Sequence, residues 1–373
     1  MKLPSLLLIA LLCYQQSVGA RVKLVSLPER ETSRVQLDNV HATLVEETRY
    51  LNVQQGVNKI DFSWKGVNIL PDSIRLHIIN AADEVSVLNV SYPLNEDALI
   101  WQLSSAAGQA IEVKISYLLQ GIDRLIAYTA EVNPAETQVD LHADMILRNF
   151  SGESLQDTVF QLTDTEKMQR SIAQGETKRM RFLNASQLPI TKRFTFDAAT
   201  LPWEPKYTND NVAIPVHYIV KNTKETGLGN TALWQGKARL FSEAPPNGAL
   251  FLSENRIKFT PIGDTFKLAV GNSRDVVVTQ RILKQDKINI RRDTRGRIVL
   301  HDKDVTMEVK LENFKSSPAL LRLKEPMPKE WEMRQHSQPF TIKDAQHIYF
   351  DLNLAAKDKL TVRYQYREKN IRH

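Results

Sequence analysis

The sequence has little of three things: cysteine, helical periodicity and long apolar runs. Its one cysteine among 373 residues is Cys13, inside an apolar N-terminal leader. The chain that follows the leader therefore has no disulfide, thiolate nucleophile or thiolate metal site to offer. No long stretch repeats its apolar residues every three to four positions, which argues against helix bundles and helix-wrapped sheets. After the leader, no segment approaches the roughly 20 apolar residues of a membrane-spanning helix, so no transmembrane anchor is expected. Neither the G-x-S-x-G elbow of many hydrolases nor the G-x-x-x-x-G-K-[ST] phosphate loop occurs. The eight histidines, at 41, 77, 142, 217, 301, 336, 347 and 373, do not fall at zinc-site spacings, so no metal or cofactor is expected. A serine triad assembled from distant residues stays open.

What is present begins with the leader itself. "MKLPSLLLIALLCYQQSVGA" has one early lysine, an apolar run from Leu6 to Leu12, and small residues at Val18, Gly19 and Ala20. This pattern predicts a secretory signal peptide over 1–20, cut after Ala20, and hence a periplasmic or secreted protein. Lipid attachment at Cys13 would want a small residue before it, and Leu12 is not small. The remaining chain is long enough for roughly two or three domains, each with its own core.

The dominant signal downstream is alternation. Val139, Leu141, Ala143, Met145 and Leu147 occupy every second position before "LRNF" (147–150); Val305, Met307, Val309 and Leu311 do so before "LENF" (311–314). A looser copy runs through Ile214, Val216, Tyr218 and Val220 into "VKNT" (220–223). Period two means strands with one buried face. Asn suits each strand end because its amide bonds nearby backbone and because it tolerates a left-handed turn. Further strands are expected at "NKIDF", "SIRLHII", "IEVKISYLL", "HIYFDLNL" and "KLTVRYQYR", and "APPNG" (244–248) reads as a hairpin connection. "TDTEKMQRSIAQ" (163–174) reads as loop or a single turn. These spacings predict an all-β chain of tandem antiparallel β-sandwich units, divided as an N-terminal β domain (21–115), a central β domain (116–270) and a C-terminal sandwich (271–373).

The sharpest chemical feature is electrostatic. Arg281, Lys284, Lys287, Arg291, Arg292, Arg295 and Arg297 stand against only Asp286 and Asp293 over 281–297, while the whole chain carries a net charge of +6. "KINIRRDTRGRIVL" reads as two strand ends around "DTRGR", so these cations either project into solvent or meet an anionic glycan, a lipid headgroup or an acidic envelope protein. Nucleic acid is not expected, since the segment lacks interleaved aromatics for base stacking. A second candidate is Trp203 with Tyr207 in "LPWEPKY", either an exposed platform for sugars or a partner, or a plug over a sandwich end. His142 and Asp144 share one side of a strand and read as a solvated pair, and "HDKDV" (301–305) reads as a polar turn.

"LRNFSGESLQDTVFQL", "GETKRMRFL", "KNTKETGLG", "ENRIKFTPIGDTFKLAVGNSRDVVVTQR", "MEVKLENFKSSPALLRLKEPMPKEW" and "KDKLTVRYQYR" occur in this order. Together they resemble exported bacterial proteins with domain of unknown function 4139, the mucoidy-inhibitor-A-like family, over most of 40–367. The resemblance implies an all-β, immunoglobulin-like architecture and an envelope location, and implies no established chemistry. Two departures stand out: little room between Leu94 and Ala110 for the family's β-rich insertion, and "NTALWQG" with Leu233 and Trp234 where the family has a proline-containing stretch. The expected function is a non-enzymatic binding or structural module of the cell envelope. The alternative is a hydrolase acting on an envelope polymer, with His142, His217 or His301 in its site.

Overall fold

A computed structural model describes residues 23–25, 27–39, 42–163, 166–199, 213–243 and 248–372. The leader, Trp203 and Tyr207 lie outside these. In chain order the strands are β1 (Lys23–Val25), β2 (Thr32–Gln36), β3 (Thr43–Val53), β4 (Gly56–Ser63), β5 (Arg75–Ile78), β6 (Val85–Ser91), β7 (Ala98–Ser105), β8 (Gln109–Leu119), β9 (Ile122–Val132), β10 (Gln138–Asn149), β11 (Leu155–Gln161) and β12 (Lys167–Ile172). They continue as β13 (Thr177–Asp197), β14 (Ile214–Lys221), β15 (Gly236–Glu243), β16 (Ala249–Ile257), β17 (Thr265–Ser273), β18 (Val276–Arg292), β19 (Ile298–Asn313), β20 (Ala319–Pro326), β21 (Trp331–His336), β22 (Thr341–Asp344), β23 (His347–Leu354) and β24 (Lys359–Arg372). Helix among the described residues is limited to two single 3-10 turns, Pro71–Ser73 and Lys224–Thr226.

The chain forms two compact units, one of 1–124 with 147–178 and one of 125–146 with 179–373. It passes between them inside β9, β10 and β13 and not through linkers. The expected boundaries at 115/116 and 270/271 are corrected accordingly, because they cut β8 and β17. Composition marks linkers, and the crossings between units lie within strands.

In the first unit, a sheet ordered β1-β4-β7-β6 packs on one ordered β12-β11-β2-β3-β8-β5. Phe62 of β4 stands 5.6 Å from Trp101 of β7 and 5.9 Å from Tyr117 of β8, so the rings join the two sheets. In the second unit, β18-β19-β24-β21 packs on the part of the larger sheet formed by β14, β13, β20 and β23. Val278, Val309, Leu311 and Val362 from one side meet Phe194, Leu321, Leu323 and Phe350 from the other. All are buried, each contributing about 1.5–3 kcal/mol of transfer free energy. The pairing is not antiparallel throughout: β1 with β4, β2 with β11, β9 with β15 and β13 with β20 are parallel. The last three occur where strands distant in sequence meet.

The three strand-ending asparagines do the same thing three times. Asn149, Asn222 and Asn313 are 0 %, 0 % and 2 % exposed. Asn149 Nδ2 donates to the carbonyls of Glu153 (2.8 Å) and Ala173 (3.2 Å), and its Oδ1 accepts from Ser151 Oγ (2.7 Å). Asn222 Nδ2 reaches the carbonyls of Thr231 and Thr260, and its Oδ1 accepts Gly229 N–H at 2.9 Å. Asn313 Nδ2 donates to Ser317 (2.9 Å) and Ala355 (2.8 Å), and its Oδ1 accepts Lys315 N–H (3.0 Å). None of the three has a positive φ, so the amide and not conformational tolerance selects Asn. Gly229, by contrast, is needed as glycine: its φ is +80° and a Cβ would lie 2.4 Å from backbone atoms of Thr223 and Lys224.

Residues 163–174 differ from expectation, since β12 forms there and pairs with β11 at the edge of its sheet. Its side chains are mostly exposed, which is why the sequence shows no apolar alternation. Because each buried amide bonds several backbone groups of its turn, Asn222→Ala and Asn313→Ala should each cost about 2–3 kcal/mol. Chemical denaturation of the two variants against the parent chain measures this.

Candidate functional site: a cationic β-ribbon

The long hairpin of β18 and β19 holds all seven sequence-predicted cations. Its turn is built by Asp293, whose Oδ1 accepts the N–H groups of Arg295 and Arg297 at 2.9 Å, with Gly296 at φ +78°. This matches the expected strand ends around "DTRGR". Beyond Gln280 no side chain of β18 is buried, so the hairpin runs on past the sandwich core, with β24 paired to β19 as far as Arg372.

Toward the core, charges are compensated in a ladder on one face. Arg281 and Arg363 both grip Glu308, with Nε to carboxylate distances of 2.8 Å. Burial alone would raise the Glu308 carboxyl, but hydrogen bonds from Arg363 and Arg281 hold it below the ordinary value. Arg367 binds Asp304 at 2.8 Å on that face and, one row on and on the opposite face, Lys303 binds Glu368 at 2.6 Å. Lys284 is paired to Asp286 (2.5 Å) and Arg297 to Asp293 (2.9 Å). Lys287, Arg291, Arg292 and Arg295 form no ion pair among the described residues and are exposed; Arg292 donates only to the Gly296 carbonyl, at 2.8 Å. The structure thus splits the seven cations into three that shape the ribbon and four that form no ion pair among the described residues, with Asp302 the carboxylate that feels Arg291. At the tip, Asp293, Arg297, Ile298, Val299 and Arg372 line an open depression of about 570 Å³.

Other expectations are corrected. "HDKDV" is not a turn but the middle of β19, where Asp302 accepts from Asn289 and from the Asn370 backbone and Asp304 holds Arg367. The flanking rows pair with β18 and β24 on both sides, which extends the backbone through it. Asp144 is not solvated: it is 3 % exposed and clamped by Arg179 Nε (2.7 Å) and Arg181 Nε (2.6 Å). The two arginines, on the neighbouring β13, cover a face that its polarity had marked as open. His142, His217 and His301 lie on β10, β14 and β19, and Nδ1 of both His142 and His301 has no hydrogen-bond partner among the described residues. No group of three or more His, Cys, Asp or Glu able to hold a metal occurs among the described residues, and no helix there is long and apolar enough to cross a membrane.

Two buried clusters escaped the sequence reading. In the first unit, Glu47 and Arg49 occupy core-facing positions of β3 between Val45 and Leu51. Glu47 pairs with Arg30 and Arg49, and Arg30 reaches Glu153 at 2.6 Å and the Tyr117 hydroxyl at 3.3 Å. These groups satisfy one another beside a cleft of about 360 Å³ walled by Phe62 and Trp64. The available signal was two charges in phase with the apolar positions of an alternating strand.

The second cluster lies at the ribbon's root. Glu325 of β20 is 2 % exposed; Gln280 Nε2 donates to its Oε2 at 2.7 Å, and the Tyr364 hydroxyl stands at the same carboxyl. Glu325 Oε1 and Gln280 Oε1 are both buried without a donor. No cation offsets the burial, which pushes the carboxyl up to about 7, with Asp197 adding to the rise. No protein-family model matches the chain, and no curated protein matches it.

The raised carboxyl sets a pH dependence. Between the ordinary value of 4.5 and about 7, the folded chain holds a proton that the unfolded chain has lost, so Glu325 contributes less stability as pH rises through that window. Glu325→Gln removes the ionisation. At pH 8 the variant should be more stable than the parent by about 3 kcal/mol, with the gap closing toward pH 4.5. Urea titrations of both proteins across pH 4.5–8 check the sign, and a gap independent of pH would contradict it.

Proposed function

We propose that this chain is a non-enzymatic binding module of the bacterial cell envelope, exported to the periplasm or secreted, which presents the β18–β19 ribbon to an anionic partner. The leader with its cleavage point after Ala20 supports export. The resemblance of its ordered motifs to those of the mucoidy-inhibitor-A-like proteins supports the envelope setting. The observation that carries the binding role is the set of four exposed cations, Lys287, Arg291, Arg292 and Arg295, none of them in an ion pair among the described residues, at the end of a ribbon that pairs its other charges. Solvent-exposed cations clustered this closely repel one another, and an anionic partner relieves that repulsion.

Replacing these four by glutamine should weaken binding to sulfated dextran, a soluble polyanion, by roughly thirtyfold or more at low salt, at about 0.5–1 kcal/mol per lost contact. The difference should shrink as salt rises, because exposed contacts are screened. The unfolding midpoint should hardly move, since none of the four is buried or ion-paired. Equal retention of both proteins at low salt would refute the reading.

A further inference from the structure

The cations are only half of what the ribbon tip exposes. Leu283, Ile290 and Val299 are 42 %, 43 % and 45 % exposed, and Ile288, Ile298 and Leu300 are half-buried. The register pairs Arg291 with Leu300 and Arg292 with Ile298, so aliphatic and cationic side chains alternate across the tip. The register shifts between Ile288 and Arg291 and between Arg291 and Arg292, so bulges leave Ile290 and Val299 outside the paired ladder and exposed. No aromatic residue occurs between 281 and 300, and carbohydrate recognition ordinarily uses aromatic faces.

We infer that the anionic partner of the ribbon is an anionic lipid surface, with Lys287, Arg291, Arg292 and Arg295 at the headgroups and Ile290 and Val299 entering the interfacial layer. The inference rests on the anion-binding reading above and adds the apolar half to it. A cationic, aliphatic element of this kind lies at the boundary between headgroups and acyl chains, where both halves find partners. Each basic residue near such a surface strengthens attachment about fivefold. The depression at the tip, with Arg297 and Arg372 beside Ile298 and Val299, repeats the same combination on a smaller scale.

The test is sedimentation of the full chain with vesicles of phosphatidylcholine alone and of phosphatidylcholine mixed with phosphatidylglycerol, run beside retention on sulfated dextran. The parent protein should pellet with the mixed vesicles and not with phosphatidylcholine. Lys287→Gln with Arg291→Gln and Arg295→Gln should lower vesicle partitioning roughly a hundredfold and weaken dextran retention too. Ile290→Thr with Val299→Thr, which keeps β-branching, should lower vesicle partitioning roughly tenfold and leave dextran retention unchanged. Dextran retention without vesicle binding, or vesicle binding indifferent to the threonine pair, overturns the lipid assignment and leaves the anion-binding reading standing. Absence of binding to both probes overturns both readings.

Discussion

A buried asparagine amide at the end of a strand is the interaction on which this all-strand chain depends. A β-sandwich must turn its chain back at both ends, and each reversal leaves carbonyl and N–H groups that no ladder can reach. With no cysteine beyond Cys13, cross-links cannot hold these ends. Asn149, Asn222 and Asn313 each donate into one loop and accept from another residue in the turn. One amide thus ties a strand's end both to its own turn and, through the carbonyls of Ala173, Thr260 and Ala355, to a neighbouring one. Aspartate would lose the donor and leucine would lose both halves, so the residue type follows from the hydrogen-bond inventory.

The same accounting separates structural from available charge. Several cations of the second unit that lie over the sandwich meet a carboxylate: Arg281 and Arg363 at Glu308, Arg367 at Asp304, Lys324 at Asp197, Arg322 at Asp351. In the ribbon, pairing stops short of the tip. Buried charge must be compensated or it destabilises the fold, whereas exposed charge can stay open at small cost. The four unpaired cations of the ribbon lie where exposure keeps that cost small.

How much of this was legible in the sequence depended on whether one strand or several had to be known. Val362 and Tyr364 declared their core-facing side through alternation alone, and so did the β10 run from Val139 to Leu147. The strand ends at Asn149, Asn222 and Asn313 were legible from a local motif. Asp144 was not, because what buries it is Arg179 and Arg181, 35 and 37 residues away. "HDKDV" was misread because its polarity resembles a turn, while its extension is imposed by pairing on both sides. Glu325 sits on the same face of β20 as Leu321 and Leu323, so the alternation did mark it as buried. Its partners Gln280 and Tyr364 come from the opposite sheet, which no periodicity reveals.

The ribbon's two ends are specified by different means, and this bears on what it can do. At the root, Gln280 faces Glu325 on the inner side while the next residue, Arg281, meets Glu308 on the outer side. A slip of one residue would break both at once and turn Val278 outward, so the root has a single register. Toward the tip the register shifts between Ile288 and Arg291 and again between Arg291 and Arg292. Such bulges bend a strand and re-aim its side chains. A fixed root with an irregular, charged tip suits a surface whose anions have no fixed lattice, because the tip can meet it without disturbing the core that holds the ribbon in place.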